Sequence, residues 1–361
     1  MYYYVFIYKI MAYLDIKNIK IKGVTVCIPQ NTVENIEYEV VPIEQRQKFV
    51  DAIGIERRRI ANSNVCASDL CQKSAEHLLE KIGWEKDSID LLVFISQTPD
   101  YKMPATSCVL QERLGLKKNI MSIDISQGCS GYVYGLGVAG SLLSSGTLKR
   151  CLLLVGNTQS KNLNEKDKSV WPLFSDAGSA TAIEYSESDG DTMLLSYGTD
   201  GSGEHTIIIP DGGYRNMVNP ESFKEEEFEG GIIRNRLNLI MHGDDVFSFV
   251  ISNIPKFTKD LFEHFGINES DIDYYLLHHA SKFVCQKLIK KLHIPDGKAP
   301  LRLKDFGNIS NVSVPLLLTQ LRNELSQKRL NLYISGFGVG LSLGVGVIHT
   351  GAFVCDDLIE Y

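Results

Sequence analysis

Leu78-Leu-Glu-Lys-Ile-Gly-Trp-Glu-Lys-Asp-Ser-Ile-Asp90 recurs, without gaps, as Leu261-Phe-Glu-His-Phe-Gly-Ile-Asn-Glu-Ser-Asp-Ile-Asp273. The two blocks are identical at Leu78/Leu261, Glu80/Glu263, Gly83/Gly266, Ile89/Ile272 and Asp90/Asp273, and lie about half a chain apart. Each reads as a helix end, a glycine stop, a short polar turn and the start of a buried strand. A second echo sets Lys149-Arg-Cys-Leu-Leu-Leu-Val-Gly156 against Lys328-Arg-Leu-Asn-Leu-Tyr-Ile-Ser-Gly336 at nearly the same offset. Two echoes at one spacing point to duplication of a supersecondary unit. The boundary falls in the polar stretch Ser186-Glu-Ser-Asp-Gly-Asp191. The halves are then residues 11–185 and 186–361, with the site expected where their loops meet.

Around these blocks, short apolar runs alternate with helical stretches. Leu91–Ile95, Cys151–Val155 and Leu332–Ile334 read as buried strands of an α/β fold. Ser68 and Asp69 are expected to open a helix running to about Lys81, closed by Gly83.

The chain has 361 residues, 44% hydrophobic and 22% charged, and a net charge of −7. That composition excludes a disordered or collagen-like chain. An acidic chain lacks the dominant basic field of general nucleic-acid binding. The eight cysteines are scattered with no CxxC pair. They predict reduced thiols in a cytoplasmic protein, without a zinc ribbon or a disulfide framework. The aromatic start, residues 1–10, is too short for a membrane span and lacks signal-peptide features. It reads as a loosely docked extension, with Met11 as an alternative start. No other stretch has the length of a span.

Four segments could carry chemistry. In Asp124-Ile-Ser-Gln-Gly-Cys-Ser-Gly-Tyr132, followed by an apolar helix, Cys129 sits where a helix begins. Unpaired N–H groups and the helix dipole there are expected to lower the thiol pKa and favour a nucleophilic thiolate. In Tyr274-Tyr-Leu-Leu-His-His-Ala280, a strand ends in two histidines on opposite faces, and the residues alone do not choose between His278 and His279. Asp305-Phe-Gly-Asn-Ile-Ser-Asn-Val-Ser-Val-Pro315 reads as a loop entering a helix, where an Asn amide could donate to a developing negative charge. Gly336-Phe-Gly-Val-Gly340 fits neither a phosphate loop nor a dinucleotide fingerprint. A glycine turn between strands exposes N–H groups suited to an oxyanion.

Together these segments resemble the thiolase superfamily, and within it the β-ketoacyl-acyl-carrier-protein synthases III. The resemblance runs from about Ile19 to His349 and includes Gly54–Ile60, Phe174–Ala180 and His242–Phe247. It implies a thiolase-like fold of two pseudo-symmetric βαβαβαββ halves in a five-layered αβαβα architecture. It implies a Cys-His-Asn site at Cys129, His278 and Asn308, selecting His278 over His279 and Asn308 over Asn311. It places the oxyanion on the backbone N–H of Cys129 and of Val339, where the family has Gly. Thiolases carry a second cysteine in the C-terminal glycine loop, which is absent here, and elongating ketosynthases resemble Cys-His-His enzymes.

The activity so implied is acyl transfer from an acyl thioester to Cys129, then decarboxylative condensation with a malonyl acyl-carrier-protein, in a homodimer needing no metal or redox cofactor. Met103 matches a residue that reaches across the dimer into the partner's acyl pocket. Ser281 stands where the family binds pantetheine through Asn. Lys282, Lys287, Lys290 and Lys291 form a basic face for an acidic carrier protein, although a carrier-docking Arg is replaced by Phe283. The pair that clasps the adenine end of coenzyme A falls at Lys48 and Ala52, which points away from acetyl-CoA as acyl donor. The alternatives are a same-fold acyltransferase, a type III polyketide-like synthase in specialised or glycan-lipid biosynthesis, and a non-catalytic partner subunit, which would be expected to have lost Cys129.

Overall fold

The structure, a computed structural model, describes residues 12–361; the expectations for residues 1–10 and Met11 lie outside them. Eleven strands form one sheet: β1 Ala12–Ile28, β2 Leu91–Ile95, β3 Met121–Ile125, β4 Arg150–Asn157, β5 Ala177–Tyr185, β6 Asp191–Thr199, β7 Tyr274–Leu277, β8 Leu330–Gly338, β9 Ser342–Thr350, β10 Val354–Cys355 and β11 Ile359–Glu360. Their order is β7-β8-β9-β6-β1-β5-β4-β2-β3, with the two short C-terminal strands added to β1. The long β1 joins the halves. Its first residues pair with β6, its later ones with β5, and the register shifts between Ile16 and Ile19.

The main helices are α1 Ala67–Ile82, α2 Thr106–Arg113, α3 Gly131–Ser144, α4 Gly243–Phe265, α5 Lys282–Lys291 and α6 Ser313–Gln320. Three apolar cores sort them into layers. Helices α1 and α2 pack on one face of β2, β4 and β5. Helices α3 and α6 are buried between the two halves of the sheet. Helices α4 and α5 cover β7, β8 and β9. The result is the αβαβα stack of a thiolase-like fold.

The repeated blocks occupy matching places. Helices α1 and α4 each end at a left-handed glycine, Gly83 at φ 67° and Gly266 at φ 66°, a conformation that costs glycine least. A 3₁₀ turn follows in each case, Lys86–Ser88 and Glu269–Asp271. Ile89 and Ile272 are both fully buried. Strands β2 and β7 then pair in parallel with β4 and β8, respectively. The shared aspartates do the same work: Asp90 accepts the Lys149 N–H at 2.8 Å and Asp273 the Asn331 N–H at 2.8 Å, each pinning the entry of the neighbouring strand.

One boundary differs from expectation. Helix α1 starts at Ala67, not Ser68, because Cys66 is its N-cap and the Asp69 carboxylate accepts the Cys66 N–H at 2.6 Å. No helix among the described residues is long and apolar enough to cross a membrane.

Candidate active site

Helix α3 is buried on nearly every side, so its N-terminus is fixed between the halves. Cys129 stands two residues ahead of it, in the turn leaving β3. The glycine turn after β8 closes on Cys129 from the other half. A Cβ on Gly336 would lie 2.8 Å from the Cys129 carbonyl oxygen, and one on Gly338 would lie 3.1 Å from Cys129 Sγ. Only glycine permits that approach. Side chains lock the two turns together: Gln127 Nε2 donates to Ser130 Oγ and Ser342 Oγ, and Ser342 Oγ donates to the Val339 carbonyl at 2.8 Å. Among the described residues neither the Cys129 nor the Val339 N–H donates to a backbone carbonyl, and the Cys129 N–H is turned toward its own sulfur.

Strand β7 delivers the histidines and separates them. His278 lines a cavity of about 670 Å³ that also holds Cys129 and Asn308. Its ring packs edge-on to Phe337 at 5.1 Å, and its Nδ1 lies 3.0 Å from Ser313 Oγ. His279 points away from the cavity; its Nε2 accepts the Arg302 N–H at 3.4 Å, and its Nδ1 has no partner among the described residues. Burial pushes both imidazoles down to about 3, so both are neutral at neutral pH.

Asn308 is held at its backbone by the loop after Trp171: its N–H donates to the Leu173 carbonyl at 2.8 Å, and its carbonyl accepts the Ser175 N–H at 3.0 Å. Buried side chains brace that loop. Asn35 Nδ2 donates to the Pro172 carbonyl, and Arg58, fully buried, donates to Asn35 Oδ1 and to the Phe174 carbonyl while lying over the Trp171 ring. The Asn308 Oδ1 accepts the Ser310 N–H at 2.9 Å, which leaves Nδ2 as the free end of the amide. Asn311 instead donates to the Ile95 carbonyl, tying the two halves together.

The thiol contradicts its expectation. Cys129 is pushed up to about 11, because desolvation outweighs hydrogen bonding from Ser310 and its own N–H. The thiol stands outside the first turn of α3 and faces a largely apolar cavity, so burial dominates. Among the described residues no cation offsets the burial, which favours the neutral thiol.

The other predicted residues are spread around the entrance. Ser281 lines the cavity, but its Oγ caps α5 by accepting the Val284 N–H at 3.3 Å. Lys282, Lys287, Lys290 and Lys291 are exposed along α5. Phe283 stacks on Phe247, which lines the cavity. Met103 is 78% exposed and lies outside the chain's own cavity. Lys48 and Ala52 are exposed on the helix Ile43–Ile53.

Comparison with known proteins bears on this arrangement. Residues 123–201 match the 3-oxoacyl-[acyl-carrier-protein] synthase III family, and residues 262–350 match its C-terminal region. The β-ketoacyl-[acyl-carrier-protein] synthase III of Clostridium perfringens is 31% identical over 342 residues, covering 92% of this chain and 99% of that protein. This chain belongs to the synthase III family. The synthase III of Fusobacterium nucleatum is 30% identical, with 92% and 98% covered. A solved 3-oxoacyl-(acyl-carrier protein) synthase from Burkholderia xenovorans superimposes with a TM-score of 0.91 at 36% identity, covering 97% of this chain and 99% of that one. Membership makes the chain an acyltransferase-type condensing enzyme with the thiolase-like fold.

Several polar residues of this site carry no sequence signal of their own. Ser310 stands 3.8 Å from Cys129 Sγ and accepts from Asn157 Nδ2, and Ser313 holds His278. Both lie in the Asn308 loop, two residues after Asn308 and Asn311 respectively. Gln159 and Asn162 carried no motif at all.

Proposed function

We propose that this enzyme transfers an acyl group from a thioester to Cys129 and then condenses it, with loss of CO2, with a malonyl group carried on acyl carrier protein. The observation that carries this reading is the meeting of Cys129, His278 and Asn308 in one cavity, beside the Cys129 and Val339 N–H groups, neither of which donates to a backbone carbonyl among the described residues.

In the first half-reaction, Cys129 Sγ bonds to the acyl carbonyl carbon and the donor's C–S bond breaks. The oxyanion that forms on the way accepts from the N–H of Cys129 and Val339. The thiol is neutral at rest, so its proton must leave as the sulfur attacks. Ser313 Oγ donates to the Ser310 carbonyl at 2.9 Å and therefore accepts from His278 Nδ1–H, which leaves Nε2 with a lone pair for that proton. The departing thiolate then takes it.

In the second half-reaction, the malonyl carboxylate C–C bond breaks. The electron pair becomes an enolate on the thioester, whose oxygen accepts from Asn308 Nδ2 and His278 Nε2–H. The nucleophilic carbon attacks acyl-Cys129, the C–S bond breaks, and the released thiolate takes a proton from solvent. Rotation of the Ser313 hydroxyl toward Nδ1 supports the Nε2–H tautomer that this step needs.

We further propose a homodimer. Strand β3 is an edge of the sheet, and Tyr101 and Met103 beside it are strongly exposed. Met103 would then complete a partner's cavity, and the lysines of α5 would receive the acidic carrier.

Intact-mass measurement with a panel of acyl thioesters, with and without malonyl carrier protein, tests the reaction. An adduct on Cys129 that malonyl carrier protein discharges with CO2 release is expected. An adduct that it cannot discharge would favour simple acyl transfer to oxygen or nitrogen.

A further inference from the structure

The 3₁₀ turn Gln159–Asn162 directs two amide side chains into the cavity that holds Cys129. With three residues per turn, side chains three apart eclipse one another, so Gln159 and Asn162 share one wall. The cavity lining also includes apolar Leu173, Ile209, Leu239 and Met241, and Ser169, whose Oγ donates to Asp167. Gln159 is only 7% exposed, yet neither its amide nor that of Asn162 makes a hydrogen bond to any of the described residues. The residues around them are committed elsewhere. Ser160 Oγ donates to Asp176, and the Asn162 backbone carbonyl accepts the Leu239 N–H at 2.8 Å.

The Gln159 and Asn162 amides keep their donors and acceptors open to the cavity; an alkyl chain that displaces water from them gives nothing in return, and an amide left unpaired there is costly. The cavity lining contains no Lys, Arg, Asp or Glu among the described residues, so a charged group has no counter-ion there. An amide offers both a donor and an acceptor, which matches a neutral oxygen function. We propose that the acyl donor is an oxygenated acyl thioester, hydroxyacyl or oxoacyl, whose chain oxygen is held by Gln159 and Asn162. This rests on Cys129 being the acyl acceptor. A site built to hydrogen-bond a substrate hydroxyl rejects the analogue lacking it far more strongly than an apolar pocket rejects an added methylene.

The test is the rate of Cys129 acylation, followed by intact mass, with pantetheine thioesters matched in length: butanoyl against 3-hydroxybutanoyl and 3-oxobutanoyl, and hexanoyl against its 3-, 4- and 5-hydroxy and 5-oxo forms. At least one oxygenated donor is expected to outpace its alkyl counterpart by about tenfold or more. In the near-isosteric variant Gln159→Met/Asn162→Leu the ratio should fall to about one, with cooperative thermal unfolding by circular dichroism as the sign of an intact fold. Alkyl donors as fast as every oxygenated one in the wild type would overturn the proposal, whatever the variant does. So would a preference that survives in the double variant. Failure of every thioester to acylate Cys129 would overturn the underlying reading as well, a result distinct from acylation without preference.

Discussion

His278 Nδ1 lies 3.0 Å from the hydroxyl oxygen of Ser313, which in turn lies 2.9 Å from the Ser310 carbonyl. A hydroxyl can face either way, so one side chain supports both imidazole tautomers. Removing it leaves the Ser310 carbonyl, which also lies against the ring, to lock the proton on Nδ1. Ser313→Ala should therefore keep the acylation of Cys129 within about threefold of wild type. The malonyl-dependent discharge, which needs Nε2–H, should slow by about tenfold or more. Single-turnover measurement of the two steps separates them, and Ser313→Thr should restore the second. Equal loss in both steps would refute a tautomer role.

The Cys129 thiol, at about 11, and the His278 imidazole, at about 3, predict an unusual pH profile for the free enzyme. Only thiolate reacts with iodoacetamide, and its fraction falls tenfold for each unit below the thiol pKa. The alkylation rate should climb about tenfold per pH unit from 7 to 10, with no limb near 6.5. A plateau beginning near pH 7 would show a pre-formed thiolate–imidazolium pair instead.

Gly338 is the point at which the C-terminal half comes nearest to the sulfur. A methyl placed there would meet Cys129 Sγ and Cβ at 3.1 Å, tighter than ordinary contact. Gly338→Ala should slow acylation by about a hundredfold, since small misplacements of reacting groups have effects of that order. The variant should still unfold cooperatively, which circular dichroism would check. Full activity would mean that the turn moves freely.

Much of this was legible in the residues, and what was not shares a cause. The repeated blocks located two matched units because Gly83/Gly266 and Asp90/Asp273 serve local backbone needs, which sequence reports directly. Cys129 and the His278-His279 pair stand out because they occupy the ends of otherwise apolar elements, whereas the choice of His278 over His279 and of Asn308 over Asn311 rests on the family resemblance. The thiol pKa was misjudged because a helix terminus is visible in sequence, while the desolvation opposing it depends on walls from both halves. Ser313, Gln159 and Asn162 were overlooked for a similar reason. Their meaning lies in which partners they have or lack, and those partners sit far away in the chain or are absent from it.

His279 gives a stability test. Its imidazole lies well below the usual 6.5 because burial and the Arg302 cation both disfavour its charged form. As pH falls, the unfolded chain takes up this proton first, so stability is complete above about 6.5 and is lost as pH drops from there toward 3. His279→Gln should flatten the fall in melting temperature between pH 7.5 and 5.5 relative to wild type. Parallel curves would show that His279 does not contribute to the acid sensitivity.

The lysines of α5 offer a last prediction, about the carrier rather than the chemistry. The chain is acidic overall, with net charge −7, so an acidic carrier must meet a local basic face. Lys287 and Lys290 are exposed and make no ion pair among the described residues, whereas Lys282 and Lys291 donate to the backbone carbonyls of Asp51 and Ile251. Reversing charge at Lys287→Glu/Lys290→Glu should raise KM for malonyl carrier protein by about tenfold, leaving acylation by a free pantetheine thioester unchanged. Added salt should narrow the difference between variant and wild type, because contacts between exposed charges are screened over about 10 Å at 0.1 M. A KM insensitive to both the charge reversal and salt would move the carrier to another face.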